Sequence, residues 1–224
     1  HYKQGYSMLS AAASLKEGWL GGLSLSDEKQ AVSRRIERHC LREFGANQKA
    51  TGIATKRFLS AYSCHGRTGL PETAELLCSR LIFLQSRCGL DSFALDLVAE
   101  KALSAGYDIW LCPDPLLPQQ TEAVLIPALS LGYISGSSPL CPQGRCRRLL
   151  LDSALSAETE KEPRPRLRRY EELFSALSEE AFSSLAQAKA LHDEMERIYN
   201  PHVDFGGVYG LVSRYLCRLG LENI

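Results

Sequence analysis

Between residues 81 and 112 the chain passes through an apolar run, a tight polar segment, an amphipathic stretch and a second apolar run. The first run is Leu81-Ile82-Phe83-Leu84-Gln85, short enough for a buried strand. Ser86-Arg87-Cys88-Gly89 follows as a loop. From Ser92 to Ser104, Phe93, Leu97, Val98, Ala102 and Leu103 recur at helical spacing, and Gly106 is a helix stop. Tyr107-Asp108-Ile109-Trp110-Leu111-Cys112 predicts a second strand, closed by Pro113 and Pro115. Strand, loop, helix and strand in that order make a βαβ unit, and such a unit implies a parallel sheet covered by helices.

Further elements surround this unit. Tyr2, Tyr6, Leu9, Ala13 and Leu15 predict a helix over 2–17, stopped at Gly18. Ser26-Asp27-Glu28 starts another, with Ala31, Val32, Ile36, Cys40 and Leu41 along one face as far as Phe44. Residues 45–52 read as a loop, 57–62 as a short strand before a His65-Gly66-Arg67-Thr68-Gly69 turn, and 71–78 as one or two helical turns. Apolar runs at 123–126 and 129–134 predict more strands, 136–144 a loop, and 145–151 a shorter element. A polar, proline-bearing linker covers 156–166. Beyond it, Leu167, Tyr170, Phe174, Leu177, Ala181, Leu185, Ala188, Leu191, Met195 and Ile198 advance by three or four, which predicts one long helix or a kinked pair ending at Asn200-Pro201. A last helix is expected over 208–219. The expected fold class is α/β: a mostly parallel sheet with long added helices at both ends. Its parts are a helical segment 1–44, an α/β core 45–155, and a linker with C-terminal helices over 156–224. The stretches LSAAASLKEGWL and LAQAKALHDEMERIY are alike in small residues and aromatic endings, a weak sign of internal duplication.

Composition narrows the function classes. The 26 basic and 26 acidic side chains cancel, so no charge field draws the chain to nucleic acid or to an anionic membrane. No apolar run nears the ~20 residues of a membrane span. Eight cysteines are scattered through apolar sequence without a CxxC pair, which predicts reduced thiols in a cytoplasmic protein and no metal site. The chain opens on His1 in amphipathic sequence, as a trimmed or partial chain would.

The loop after Leu81–Gln85 is the place where a P-loop enzyme binds phosphate. There, successive backbone N–H groups and a helix N-terminus hold the oxyanions, a Lys reaches the outer phosphates, and a Ser or Thr helps hold Mg²⁺. Here the candidate residues are Ser86, Arg87, Cys88, Gly89, Leu90, Asp91 and Ser92, joined by Asp114 at the end of the next strand. Gly89 and Ser92 suit the task. Asp91 stands where the Lys belongs, and a carboxylate there repels phosphate. Asp91 or Ser92 is equally an N-cap for a helix beginning at Phe93.

Three segments together resemble a family of bacterial ATPase-like proteins with two P-loop NTPase-like halves in tandem. They are LIFLQSRCGLDSFALDLVAEKALSAGYDIWLC, DPLLPQQTEAVLIPALSLGYISGSSP and AKALHDEMERIYNPHVDF. The resemblance runs from about Phe58 to the C-terminus and implies that this stretch is a second half, with 1–44 the helical tail of a first. The family's phosphate loop ends in Gly-Lys-Ser, and its LSLGYI-like strand ends in an Asp that helps position Mg²⁺. This chain has Gly89-Leu90-Asp91-Ser92 and Ser135 at those places. The resemblance therefore implies a half that keeps the fold without ATP hydrolysis, in a structural or regulatory role. ATP and Mg²⁺ enter only if the altered loop still works.

Two alternatives stand beside it. One is an active nucleotide-binding enzyme with Arg87 in place of the lost Lys, the other a protein-interaction scaffold whose helices form a homodimer or clasp a first half. Smaller candidates are His192 with Glu196, one helical turn apart and commoner as a surface pair than as a metal site, and Cys141 with Cys146. Arg145, Arg147, Arg148, Arg164, Arg166, Arg168 and Arg169 are basic clusters with acids interleaved, and Ser63-Cys64-His65-Gly66 places a thiol beside an imidazole. Asp114 is a ligand candidate or a turn residue.

Overall fold

The computed structural model describes residues 1–21, 25–45, 51–86, 89–140, 147–151 and 164–221. By internal contacts the chain divides into His1–Leu185 and Ala186–Ile224.

The first unit opens with α1 (Tyr2–Gly21) and α2 (Ser26–Glu43), followed by β1 (Ala54–Lys56) and a hairpin of β2 (Ser60–Ser63) and β3 (Gly66–Gly69). Next come α3 (Pro71–Leu77), β4 (Arg80–Gln85), α4 (Leu90–Ser104), β5 (Ile109–Pro113), β6 (Thr121–Ile126), β7 (Leu131–Ser135) and β8 (Arg147–Leu150). The long helix α5 (Arg164–Tyr199) begins in this unit. Six strands form one sheet in the order β1-β5-β6-β7-β4-β8. β4 runs parallel to β7 and β8, and β1 parallel to β5, whereas β6 is antiparallel to both of its neighbours. The expected βαβ unit is present as β4-α4-β5. Its two strands point the same way but are separated by β6 and β7, so the sheet is mostly parallel.

Both faces of the central strands are covered, and alternate residues therefore feed two cores. Ile82, Leu84, Val124, Ile126, Leu131 and Tyr133 meet Leu95, Val98 and Ala102 of α4 and Val32, Ile36 and Cys40 of α2. Phe83, Cys112, Ala123, Leu125 and Ile134 turn the other way, against Leu59, Ala74, Cys78 and Leu140. The hydroxyl of the fully buried Tyr133 lies 3.0 Å from Nε2 of His39, which satisfies the one polar atom that β7 carries into the first core. Leu9 of α1 packs with Ala181 and Leu185 of α5.

Three expectations shift. The hairpin β2–β3 replaces the single strand at 57–62, because Gly66, at φ +92°, turns the chain back after Ser63. Helix α1 continues past Gly18 to Gly21. Helix α4 starts at Leu90 instead of Phe93, because Gly89 takes a left-handed φ of +71° at the helix boundary. The N-cap position therefore falls to Gly89, and neither Asp91 nor Ser92 fills it.

In the second unit the distal part of α5 ends at Tyr199, a 3₁₀ turn covers Asn200–His202, and α6 spans Phe205–Leu219. Asp204 caps α6 by accepting from the N–H of Gly207 at 2.9 Å. Of the two expected forms, α5 is the single long helix. Residues 156–163 of the expected linker lie outside the described residues, and the helix has already begun at Arg164. Among the described residues no helix is long and apolar enough to cross a membrane.

Burial sets the cost of truncation. Leu95, fully buried on α4, makes Leu95→Ala a cavity-forming change expected to cost about 2–5 kcal/mol in urea unfolding. Leu76, 86% exposed on α3, makes Leu76→Ala neutral to within about 0.5 kcal/mol.

Candidate functional site

The carboxyl ends of β4, β5 and β7 lie along one edge of the sheet, together with the amino end of the reversed strand β6 and the start of α4. In an open α/β sheet this edge is where ligands bind. It holds a cleft of about 310 Å³. Gln85, Ser86, Gly89, Asp91, Ser92, Asp114, Thr121, Glu122 and Ser135 line its floor, with Lys16 and Trp19 of α1 and Tyr170 and Glu171 of α5 at its wall. Trp19 and Tyr170 stack with ring centroids 5.4 Å apart.

Asp91 lies in the first turn of α4 and is buried. Its carboxylate accepts a hydrogen bond from the hydroxyl of Ser135 at the end of β7. Ser135 Oγ also lies 2.9 Å from the hydroxyl of Ser137. Burial pushes the Asp91 carboxyl above the usual carboxylate range, against the hydrogen bond from Ser135, the backbone N–H groups of Asp91 and Ser92, and the charge of Lys16. The Ser92 hydroxyl accepts from the N–H of Thr121 at 3.0 Å, and Thr121 Oγ1 donates to Asp96 at 2.5 Å. Ser86 Oγ accepts from the N–H of Leu90 at 3.3 Å. The Leu90 side chain belongs to the core beneath α4. Of the predicted loop residues, Arg87 and Cys88 lie outside the described residues.

Asp114 forms the turn its position suggested, and it also lines the cleft. Oδ1 accepts from the N–H groups of Leu116 and Leu117 at 2.8 and 3.1 Å, fixing the turn after β5. Oδ2 faces the cleft and takes the Lys16 ammonium at 2.8 Å, with Arg67 at 3.6 Å. Burial alone would raise this carboxyl, but Lys16 and Arg67 outweigh it and hold Asp114 below its ordinary value.

Behind Asp114 lies a carboxylate that sequence reasoning missed. Glu122 of β6 is 1% exposed. Arg67 of β3 reaches its Oε1 at 2.7 Å, Ser138 donates to Oε1 at 2.8 Å, and Ser60 of β2 donates to Oε2 at 2.6 Å. Arg67 also donates to the carbonyl of Ser137 at 3.0 Å, and its guanidinium lies over the Tyr62 ring at 5.6 Å. A buried carboxylate survives only with such partners. The one sequence signal for it was a lone charge inside the buried strand TEAVLI. Lys16 and Arg67 gave no local signal, because their partners lie 98 and 55 residues away.

The smaller candidates do not join this site. His65 and Cys64 form the β2–β3 turn, where the His65 N–H donates to Ser63 Oγ at 3.1 Å. His192, Asp193 and Glu196 are the one group of three metal-capable side chains among the described residues. Asp193 is bound to Lys189 at 2.6 Å, and His192 Nδ1 faces Glu196 at 3.1 Å, as helix surface pairs do. Arg147 lies 3.7 Å from Glu43, and Arg169 lies 3.6 Å from Glu172. Cys141, Arg145 and Cys146 lie outside the described residues. Compared with protein-family models, with curated proteins and with solved structures, the chain has no significant match.

The raised Asp91 carboxyl fixes a sign. Between the ordinary carboxylate value of about 3.9 and its raised folded value, the folded chain holds a proton that the unfolded chain has released. Asp91 therefore favours folding at low pH and costs stability as pH rises through that window. An amide at this position would still accept from Ser135 without the charge. Asp91→Asn is expected to flatten this part of the stability–pH curve and to unfold at a higher temperature than wild type at neutral pH. Calorimetric melts across the acidic range check it; an unchanged slope, or a neutral-pH melt below wild type, counts against the burial account.

Proposed function

We propose that this chain is a degenerate P-loop NTPase-like domain, one that keeps the phosphate-loop architecture and serves a structural or regulatory role without hydrolysing ATP. The observation that carries the proposal is the bond between Asp91 and Ser135. In a P-loop enzyme the position of Asp91 belongs to the phosphate-binding Lys, and that of Ser135 to the carboxylate that positions Mg²⁺. Here both groups face each other across the cleft and satisfy each other. Ser92, aligned with the Mg²⁺-binding hydroxyl, is engaged by the Thr121 N–H.

These donors do not fit a nucleoside triphosphate with its Mg²⁺. A phosphate approaching Gly89 and the start of α4 meets the Asp91 carboxyl, already bonded within the protein. Among the described residues that line the cleft the cation is Lys16, which comes from α1 and is held by Asp114. Glu122 and Glu171 add further carboxylates to the lining. A cleft of this composition disfavours a polyanion, and no cofactor has a role in it. The thiols of Cys40, Cys64, Cys78 and Cys112 form no disulfide and support a cytoplasmic location.

Isothermal calorimetry of the purified chain with ATP and Mg²⁺ tests the proposal. Binding weaker than roughly 1 mM is expected, together with no phosphate release. Micromolar binding accompanied by turnover overturns it.

A further inference from the structure

The second unit exposes an apolar surface out of proportion to its size. Along α6, Phe205, Val208, Val212, Tyr215 and Leu219 advance by three, four, three and four residues, the spacing of a helix-pairing seam, and all five are exposed. Tyr215 is 57% and Leu219 68% exposed. A second seam of the same spacing, Leu191, Met195 and Ile198, lies on the distal part of α5, with Ile198 73% exposed. Scattered apolar side chains on a surface are ordinary, but two contiguous rows are the mark of a protein contact.

The charges beside the two rows are opposite. Helix α6 has no acidic residue from Phe205 to Leu219, and its charged side chains are Arg214 and Arg218. Arg218 leans over the Tyr215 ring at 5.8 Å, which brings its charge to the edge of the apolar row. At about a hundred degrees per residue, Glu194 borders the row on α5 and is exposed. The neighbouring acids Asp193 and Glu196 are instead turned to Lys189 and His192.

We infer that α6 of one chain docks on the distal part of α5 of a second copy, seam against seam, with Arg218 facing Glu194. The contact is reciprocal. When α6 of the first chain lies on α5 of the second, two-fold symmetry lays the second chain's α6 on the first chain's α5, and the assembly closes as a dimer. An anionic membrane suits this surface less well, because the acids along α5 would meet lipid phosphates.

Sedimentation equilibrium on the full chain at micromolar concentration tests the dimer, with far-UV circular dichroism to verify folding. Wild type is expected to run at twice the chain mass. Val212 and Tyr215 are exposed, so Val212→Asp with Tyr215→Asp should leave the fold intact and weaken association by roughly tenfold or more. Arg218→Glu should weaken it as well, and adding Glu194→Arg should restore it; that rescue separates α6-on-α5 docking from any other use of α6. A monomeric wild type, a dimer indifferent to the Val212 and Tyr215 changes, or a failed rescue overturns the proposal. So does a monomer that co-sediments with phosphatidylserine vesicles, which would assign the surface to lipid.

Discussion

The cleft is held in place by the burial of Glu122. A carboxylate almost without solvent in the middle of a sheet is costly unless its oxygens are filled by charge and hydrogen bonds. Arg67, Ser60 and Ser138 supply them. These partners come from the β2–β3 hairpin and from the turn after β7, so one buried group ties two separate segments to the same edge of the sheet. Arg67 then extends the network to Asp114 and to the Ser137 carbonyl, and Asp114 binds Lys16 of α1. Positions of α1, the hairpin and the post-β7 turn around the cleft all depend on this chain of contacts.

On the proposed reading, the same network closes this edge of the sheet chemically. Cations arrive at it from within the chain, on Lys16 and Arg67, and each is met by a carboxylate. At the start of α4 the polarity is reversed from that of a phosphate site, because the helix N-terminus faces an acidic side chain of its own first turn. A cleft can thus retain the shape of a binding site while its donors and acceptors are spent on each other.

Much of this fold was legible because buried strands and amphipathic helices carry distinct periods. The runs at 81–85 and 107–112 and the helical spacing between them predicted β4, α4 and β5, and the three-and-four stripe predicted α5. Strand direction was not legible. TEAVLI is buried at every position, so its pattern carries no sign that β6 runs against its neighbours. The start of α4 was misplaced because Asp91 and Ser92 are strong capping residues, and the left-handed turn at Gly89 overrode them. Of the residues lining the cleft, Asp91, Ser92 and Asp114 were legible from their places at element ends, and Ser135 from the resemblance. Lys16, Arg67, Thr121 and Glu122 were not, since only the folded sheet brings them together.

On the proposed reading, Asp91 and Ser135 occupy each other where a phosphate and its metal would otherwise sit. A carbon-13 titration of the Asp91 side-chain carboxyl by NMR, with and without Mg²⁺-ATP, measures this directly. The expected midpoint lies above the ordinary carboxylate range and does not move when nucleotide is added. A midpoint in the ordinary range, or one that shifts with Mg²⁺-ATP while the Gly89 and Ser92 amide signals move in step, would contradict it.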